Sequence, residues 1–322
     1  MKRDFRKLVL TVCFALLFMT VVTGCSGGEK HVDAEWLELP EEDFIVQNLD
    51  YSKEEGLLVS GYTKPGAGTV IAATWTYHDN KWNRVFQKKF SCDEKHEIEC
   101  TVYGSSKGTF LSVYTWDTDD DTSSVLDLKL DYEYYYVGPD GETEKVGPEG
   151  FAGIAEMLFT EEDDLYWVNY VTGKLSVWDP HKRENPVQIE LSEVKKIHSQ
   201  EYVGDYIFAV DFAADAIVYD TRAKTERTAD ENLMMLSRDL YDTELAGNDF
   251  CFAAFIDEDQ NEIFYYADKE NGVWQYRNGE KKQLLTGEEA GFTADTRFND
   301  MAVKDEKTIN LSLYKSENGI IE

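Results

Sequence analysis

The sequence predicts an all-β fold, and three observations predict it. Short runs rich in aromatic and β-branched residues recur throughout residues 34–322, each bounded by the Gly, Asn or Asp turns that close hairpins. These runs recur as units: a strand ends in an acidic or Gly turn, a second apolar strand follows, and that strand turns and returns. Helical periodicity is weak, and only Glu190–Gln200 and Asp230–Tyr241 can carry a turn or two. Six such units at a spacing of roughly 40–60 residues match the period of propeller blades. The expectation is therefore a β-propeller of six blades, or seven if a further unit hides within residues 44–100 or 225–300.

Taken in order, Lys53–Gly56 is the first turn, ahead of a strand at Leu57–Tyr62. Gly104–Gly108 leads into Thr109–Trp116, and Glu161–Asp164 into Leu165–Tyr170. Gly204-Asp205 precedes Tyr206–Phe212, Gly247–Asp249 precedes Phe250–Ile256, and Lys304–Lys307 precedes Thr308–Tyr314. Returning strands are expected at Val70–Tyr77, Lys174–Trp178, Ala216–Tyr219 and Glu262–Ala267. The last unit, Met301–Glu322, has no outer strand after it. Trp36–Leu39 is placed to supply that strand and close the ring, which leaves only short protected edges.

Residues 1–24 have the layout of a secretory leader. Lys2, Arg3, Arg6 and Lys7 form a basic head, Leu8–Val22 is nearly all apolar, and small residues follow. The apolar run is short for a membrane-spanning helix, which needs ~20 such residues. Val22-Thr23-Gly24-Cys25 resembles the lipobox of bacterial lipoproteins. The resemblance implies cleavage between Gly24 and Cys25, acylation of Cys25 (diacylglyceryl, palmitate), and a cell-membrane, extracytoplasmic location with the bilayer as partner. Two acyl chains suffice for stable anchoring where one does not. Residues 25–33 then form the lipidated Cys and a flexible tether. The stretch after Cys25, Ser26–Asp33, is small and polar, with a reach of ~25 Å. Residues 34–322 form a single domain.

The body resembles β-propeller repeats of bacterial surface proteins. Trp116-Asp117 and Trp178-Asp179 are similar to the Trp-Asp dipeptide of WD repeats, without the Gly-His pair that accompanies it. The chain as a whole resembles the propeller-like front half of some Gram-positive solute-binding lipoproteins. Lys307–Leu313 is placed where the first strand of a following solute-binding domain would lie, although a last blade fits it better. That resemblance implies an alternative role as an accessory or truncated component of an ABC-type uptake system.

Composition narrows the function classes. With 63 Asp+Glu against 32 Lys+Arg the net charge is −31, which excludes nucleic acid, since that partner requires a basic face. The 19 Tyr, 17 Phe and 7 Trp supply a core that a disordered chain lacks. After Cys13 leaves with the leader and Cys25 is acylated, Cys92, Cys100 and Cys251 remain. Cys92 and Cys100 can bridge a short loop or stay as thiols, and Cys251 reads as a small core residue.

The candidate sites are few. Asp117, Asp119 and Asp121 begin like a calcium loop, but Thr122 and Leu128 stand where an EF-hand needs Gly and Glu. They form a looser Ca²⁺ candidate or a solvated acidic tip, as does Asp257-Glu258-Asp259; no other cofactor is expected. Gly104-Ser105-Ser106-Lys107-Gly108 matches G-x-S-x-G, yet a strand follows where a nucleophile elbow needs a helix, so it reads as a hairpin turn. His31, His78, His96, His181 and His198 are scattered without zinc spacing. Tyr132, Tyr134 and Tyr136 share one strand face, suited either to stacking on a sugar or protein partner or to packing between blades.

The function expected is a lipid-anchored surface module that binds a protein, peptide or glycan, with catalysis left open. The alternative is an envelope polysaccharide- or peptide-processing enzyme with acids, and a His, meeting at the channel. If Cys25 is the anchor, Cys25→Ala releases the protein from the membrane fraction; unchanged retention on fractionation and immunoblotting refutes the lipobox reading.

Overall fold

In the computed structural model the described residues are 17–23 and 32–315, apart from 42, 119–128, 148–149, 152–153, 155, 161, 163, 170–171, 183, 212, 244 and 246–248. They form antiparallel sheets and one helix. Two N-terminal strands, β1 (Leu17–Thr23) and β2 (Val32–Leu37), come first. Five contiguous four-stranded sheets follow. The first holds β3 (Ile45–Ser52), β4 (Gly56–Gly66), β5 (Thr69–His78) and β6 (Lys81–Ser91). The second holds β7 (His96–Ser105), β8 (Gly108–Asp117), β9 (Asp131–Val137) and β10 (Thr143–Val146). The third holds β11 (Leu158–Phe159), β12 (Leu165–Asn169), β13 (Lys174–Trp178) and β14 (Val187–Ile189). The fourth holds β15 (Ile197–Val203), β16 (Tyr206–Asp211), β17 (Ala216–Asp220) and β18 (Thr225–Thr228). Helix α1 (Glu231–Asp242) precedes the fifth, which holds β19 (Phe250–Ile256), β20 (Glu262–Asp268), β21 (Gly272–Arg277) and β22 (Glu280–Leu285). The last strands are β23 (Thr296–Asp305) and β24 (Thr308–Lys315).

The arrangement is a β-propeller, and its blade count corrects the expectation of six or seven blades. Five blades are built from contiguous chain. β23 and β24 complete a four-stranded sheet only with the N-terminal strands, in the order β2-β1-β24-β23. The strand expected at Trp36–Leu39 joins this sheet as its outer strand, β2, but with β1 between it and β24. β1 pairs with β24 instead, with Met19 opposite Leu311 and Val21 opposite Ile309. The apolar, β-branched run that reads as leader core also has strand character, and the open edge of β24 needs a partner.

Each sheet is buried on both faces, so middle strands are apolar without polar alternation. In β12, Leu165 and Trp167 enter the core against the second blade, while Tyr166 and Val168 enter the core against the fourth. In β20, Ile263, Tyr265 and Ala267 face the β23–β24 sheet, while Phe264 and Tyr266 face the fourth blade. Outermost strands change character: β6 and β22 are mostly exposed and rich in Lys, which protects an edge from pairing. Gly104 shows how closely blades approach, because a Cβ there would lie 2.1 Å from Ser60 Oγ.

The innermost strands are stitched together by polar side chains at β-bulges. In β3 the register shifts between Val46 and Asn48, and in β23 between Phe298 and Asp300. Gln47 Oε1 accepts from Val102 N at 2.8 Å and Asn48 Oδ1 from Gly104 N at 3.2 Å, joining blade one to blade two. Asn299 Nδ2 donates to Val46 O at 2.8 Å, and Asp300 Oδ2 accepts from Leu49 N at 2.6 Å, closing the ring.

The fifth unit differs in phase from the sequence reading. Phe250–Ile256 is the innermost strand, not the second, because α1 occupies the connection before it. Asp230 caps this helix by accepting from Leu233 N at 3.0 Å. Leu233, Leu236 and Leu240 fall on one face and pack among Phe208, Val218, Phe252 and Phe264. Residues 190–200 form bends and the start of β15, with no helix. Leu236, fully buried, should cost about 2–5 kcal/mol on truncation to Ala. Denaturant unfolding reads this directly, and a change under about 0.5 kcal/mol would mean that α1 does not belong to the cooperative core.

Candidate functional site

The innermost strands β3, β7, β11, β15, β19 and β23 surround the channel, and their ends, with the turns after β3, β7 and β15, meet at one mouth. There a cavity of about 540 Å³ opens, lined by Asn48 to Glu54, Ser105 to Lys107, Glu156, Leu158, Phe159, Glu201 to Asp205, Ala254 to Ile256 and Met301 to Lys304. Its walls are aliphatic and aromatic (Leu158, Phe159, Val203, Ile256), and its mouth carries Lys53, Lys107 and Lys304.

Four carboxyl groups face one another in and beneath this cavity. Asp50 comes from β3, Glu156 from the segment before β11, Glu201 from β15 and Asp300 from β23. Each lies deep in the ring, yet Asp50, Glu156 and Asp300 still touch channel solvent. Asp300 Oδ1 accepts from Met301 N at 2.7 Å while Oδ2 holds Leu49 N, and Asp50 Oδ1 accepts from Tyr51 N at 2.7 Å. Gln200 Nε2 donates to Glu156 at 3.3 Å, and Tyr202 Oη accepts from Val168 N at 3.1 Å.

Burial raises the pKa of all four acids. Asp300 is pushed up to about 7, against the opposing hydrogen bonds from Leu49 and Met301. Glu156 is raised well above its ordinary value by burial and then by the charge of Asp300, and Glu201 by burial and then by Glu156 and Asp300. Asp50 is raised by burial, with Tyr51 N–H and Lys107 opposing. Burial also raises the Cys251 thiol and the Tyr202 hydroxyl.

On the rim, Asp205 is only 8% exposed. Its Oδ2 pairs with Arg222 Nε at 3.0 Å, whereas its buried Oδ1 has no hydrogen-bond partner. Such an orphan in a native structure calls for an explanation.

The residues singled out by sequence fall in different places. Gly24, Cys25, Asp119 and Asp121 lie outside the described residues. Asp117 stands exposed at the end of β8. Tyr134 and Tyr136 do not form an outward face with Tyr132: they are buried between blades two and three, among Phe110, Phe151 and Trp178, and Tyr132 alone is exposed. The reason is that both faces of a propeller sheet are covered. Asp257 is used internally. Its Oδ1 accepts from Asp259 N and Asn261 N and its Oδ2 meets Arg277 at 3.0 Å, and the hydrogen bonds from Asn261 hold its carboxyl below the ordinary range. The G-x-S-x-G match is the β7–β8 hairpin, where Ser105 Oγ accepts from Lys107 N, and this hairpin lines the cavity. Cys92 donates to His96 O and Cys100 is buried, both as free thiols.

The channel acids escaped sequence reading because no local motif marks them among 63 Asp and Glu. A signal does exist: a polar residue within an innermost strand, a few positions before the hairpin turn, recurs as Asp50, Glu201 and Asp300. No histidine lines the cavity among the described residues, so the convergence of acids with a His that would mark an enzyme is met only in its acidic half.

The raised pKa values make stability depend on pH. The folded chain holds these protons more tightly than the unfolded chain. The resulting stabilisation is complete only below the ordinary carboxylate range and is lost as pH rises through about 7, where Asp300 titrates. Thermal melts should therefore show Tm falling from pH ~5 to pH ~8, and Glu201→Gln should flatten that fall. An unchanged slope in the variant would assign the pH dependence to surface charge.

No family model matches the chain, and no curated protein matches it by sequence. Solved structures match it in fold. An inactive variant of virginiamycin B lyase from Staphylococcus aureus, with quinupristin, is similar at 9% identity and a TM-score of 0.46, over 96% of this chain and 98% of that one. A streptogramin B lyase is similar at 10% identity and 0.43, over 93% and 99%. BamB from Moraxella catarrhalis is similar at 9% identity and 0.36, over 94% and 92%.

Proposed function

We propose that this chain is a membrane-anchored, extracytoplasmic binding module whose ligand occupies the cavity at the channel mouth. The observation that carries the reading is the cavity itself. Residues of every innermost strand, with the turns after β3, β7 and β15, line a space of about 540 Å³ that combines apolar walls with polar groups, the usual make-up of a ligand site. Loops held on a rigid scaffold are also where binding residues concentrate. The anchor is Cys25, on the strength of the lipobox resemblance. No described helix is long and apolar enough to cross a membrane.

Cleavage before Cys25 has a structural consequence. It would separate β1 from the body, because Leu17–Thr23 lies within the leader, and the edge of β24 would then pass to β2 or to a strand of a partner.

The cavity is tested by filling its mouth. A thermal-shift screen of polar small molecules should yield ligands that raise Tm, and Ser106→Trp, on the exposed tip of the β7–β8 hairpin, should abolish their effect while leaving the ligand-free Tm within about 2 °C. Ligands that stabilise the Ser106→Trp protein equally well would place binding elsewhere.

A further inference from the structure

Cleavage before Cys25 would open a slot in the sheet that closes the ring. β1 lies between β24 and β2 and is antiparallel to both, with six residue pairs to each. β2 therefore runs parallel to β24. Strands in a sheet lie about 4.8 Å apart, so β2 stands roughly 9.6 Å from β24. Once β1 is gone, β2 is held away from that edge. Leu37, at its end, and Leu39 pack on the core that contains Phe44, Leu57 and Val59. Trp82 Nε1 donates to Glu38 O at 2.9 Å, and Arg84 meets Glu41 at 3.8 Å. To pair antiparallel with β24, β2 would have to reverse and carry its blade-one end about 20 Å along the sheet. To pair in parallel, it would pull Leu37 and Glu38 about 4.8 Å off blade one in exchange for the less stable kind of ladder.

The slot specifies what fits it. β1 holds the third position of its sheet, as β13, β17 and β21 do in theirs. Those strands are largely buried, with Leu175, Ile217, Val218, Val273 and Tyr276 in the cores between blades. On the β24 wall, Ile309, Leu311 and Leu313 belong to the core shared with blade five. An ionised side chain entering here would lose its water, whereas an apolar extended segment gains a backbone ladder on both edges. One position is more selective. Ser312, 1% exposed, keeps its hydroxyl without a hydrogen-bond partner among the described residues. The register sets position 18 of β1 opposite it, where Ser or Thr would meet it across the pair. A second copy of the chain is a poor donor: its outer strands β6 and β22 are Lys-rich, and its net charge of −31 opposes close approach. We propose that the mature protein is a strand acceptor, whose slot between β24 and β2 takes an extended, uncharged, β-branched segment of a partner protein. The segment matches the seven residues of β1 in length, lies antiparallel to both walls and sets Ser or Thr against Ser312. This rests on the reading of Cys25 as the point of cleavage and anchoring, and it adds a protein-binding site separate from the channel cavity.

The test uses the mature protein extracted from membranes in detergent, with its intact mass reporting whether residues 1–24 have left. The probe is a fluorescent peptide carrying Leu17–Thr23 between lysines, followed by anisotropy. Saturable binding is expected. It should be about tenfold or more weaker for the Thr20→Pro peptide, which lacks a ladder N–H, and for the unprocessed chain 1–322, whose own β1 fills the slot. The Phe18→Thr peptide should bind at least as tightly as its parent; weaker binding removes the pairing with Ser312. Equal binding of the Thr20→Pro peptide and its parent overturns the proposal. So does the absence of saturable binding to protein of mature mass, which returns the edge to β2 or another part of this chain and leaves the cavity reading untouched. A mass that still includes residues 1–24 overturns both the slot and the anchor. A dimer that the peptide converts to monomer on light scattering overturns the partner assignment in favour of a second copy.

Discussion

The contact on which the rest of the structure depends is the junction of Asp300 with Leu49, two residues that lie 251 positions apart. A propeller is a ring, and its last inner strand must find its first. Asp300 accepts the Leu49 amide at 2.6 Å, and Asn299, its neighbour at the bulge, holds the Val46 carbonyl. Gln47 and Asn48 repeat the device one blade on. Each bulge turns side chains sideways to satisfy backbone groups of the adjacent innermost strand, which have no ladder partner on that side. Closing so long a loop costs conformational entropy, and a charge-assisted hydrogen bond in a partly dry setting is stronger than a neutral one. Hydrophobic cores between neighbouring sheets contribute most of the stability, while the polar belt specifies how the sheets meet around the axis.

The belt has an electrostatic consequence. Placing Asp300 at the closure brings it within reach of Asp50, Glu156 and Glu201, and Asp300, Glu156 and Glu201 each feel at least one of the others or Asp50 as well as the loss of water. The groups that seal the ring therefore also set the charge of the channel mouth. Elsewhere the same residue types do ordinary work. Asp211, Asp220, Asp257 and Asp268 each accept backbone amides two to four residues on and so fix tight turns. Part of the acidity of this chain is therefore turn chemistry. What distinguishes the channel acids is location, since side chains of the same kind are solvated or capped on the outer turns and crowded in the ring.

Much of the body was legible from sequence. The turns at Lys53–Gly56, Gly104–Gly108 and Gly204-Asp205, and the strands at Val70–Tyr77, Lys174–Trp178 and Ala216–Tyr219, stand where period-2 runs and turn residues put them. The misreadings have physical causes. Phe250–Ile256 took the wrong place in its blade because a helix of modest amphipathicity, α1, filled the preceding connection. Tyr134 and Tyr136 were readable as a surface only if one face of their sheet met solvent, and Phe151 and Trp178 from the next blade cover it. Asp50, Glu156, Glu201 and Asp300 carry no mutual spacing that a linear reading could detect.

By itself the sequence determined the class of fold and the local hairpins, because strand alternation and turn residues act over a few positions. Only the tertiary structure decided how the ring closes, with β1 and β2 joining β23 and β24, and which few of the many acids share a cavity. Both depend on contacts between residues some 50 to 250 positions apart, such as Asn48 with Gly104 and Leu49 with Asp300. Local periodicity carries no information about which distant strand becomes a neighbour, and so none about which carboxyl groups will face one another across the channel.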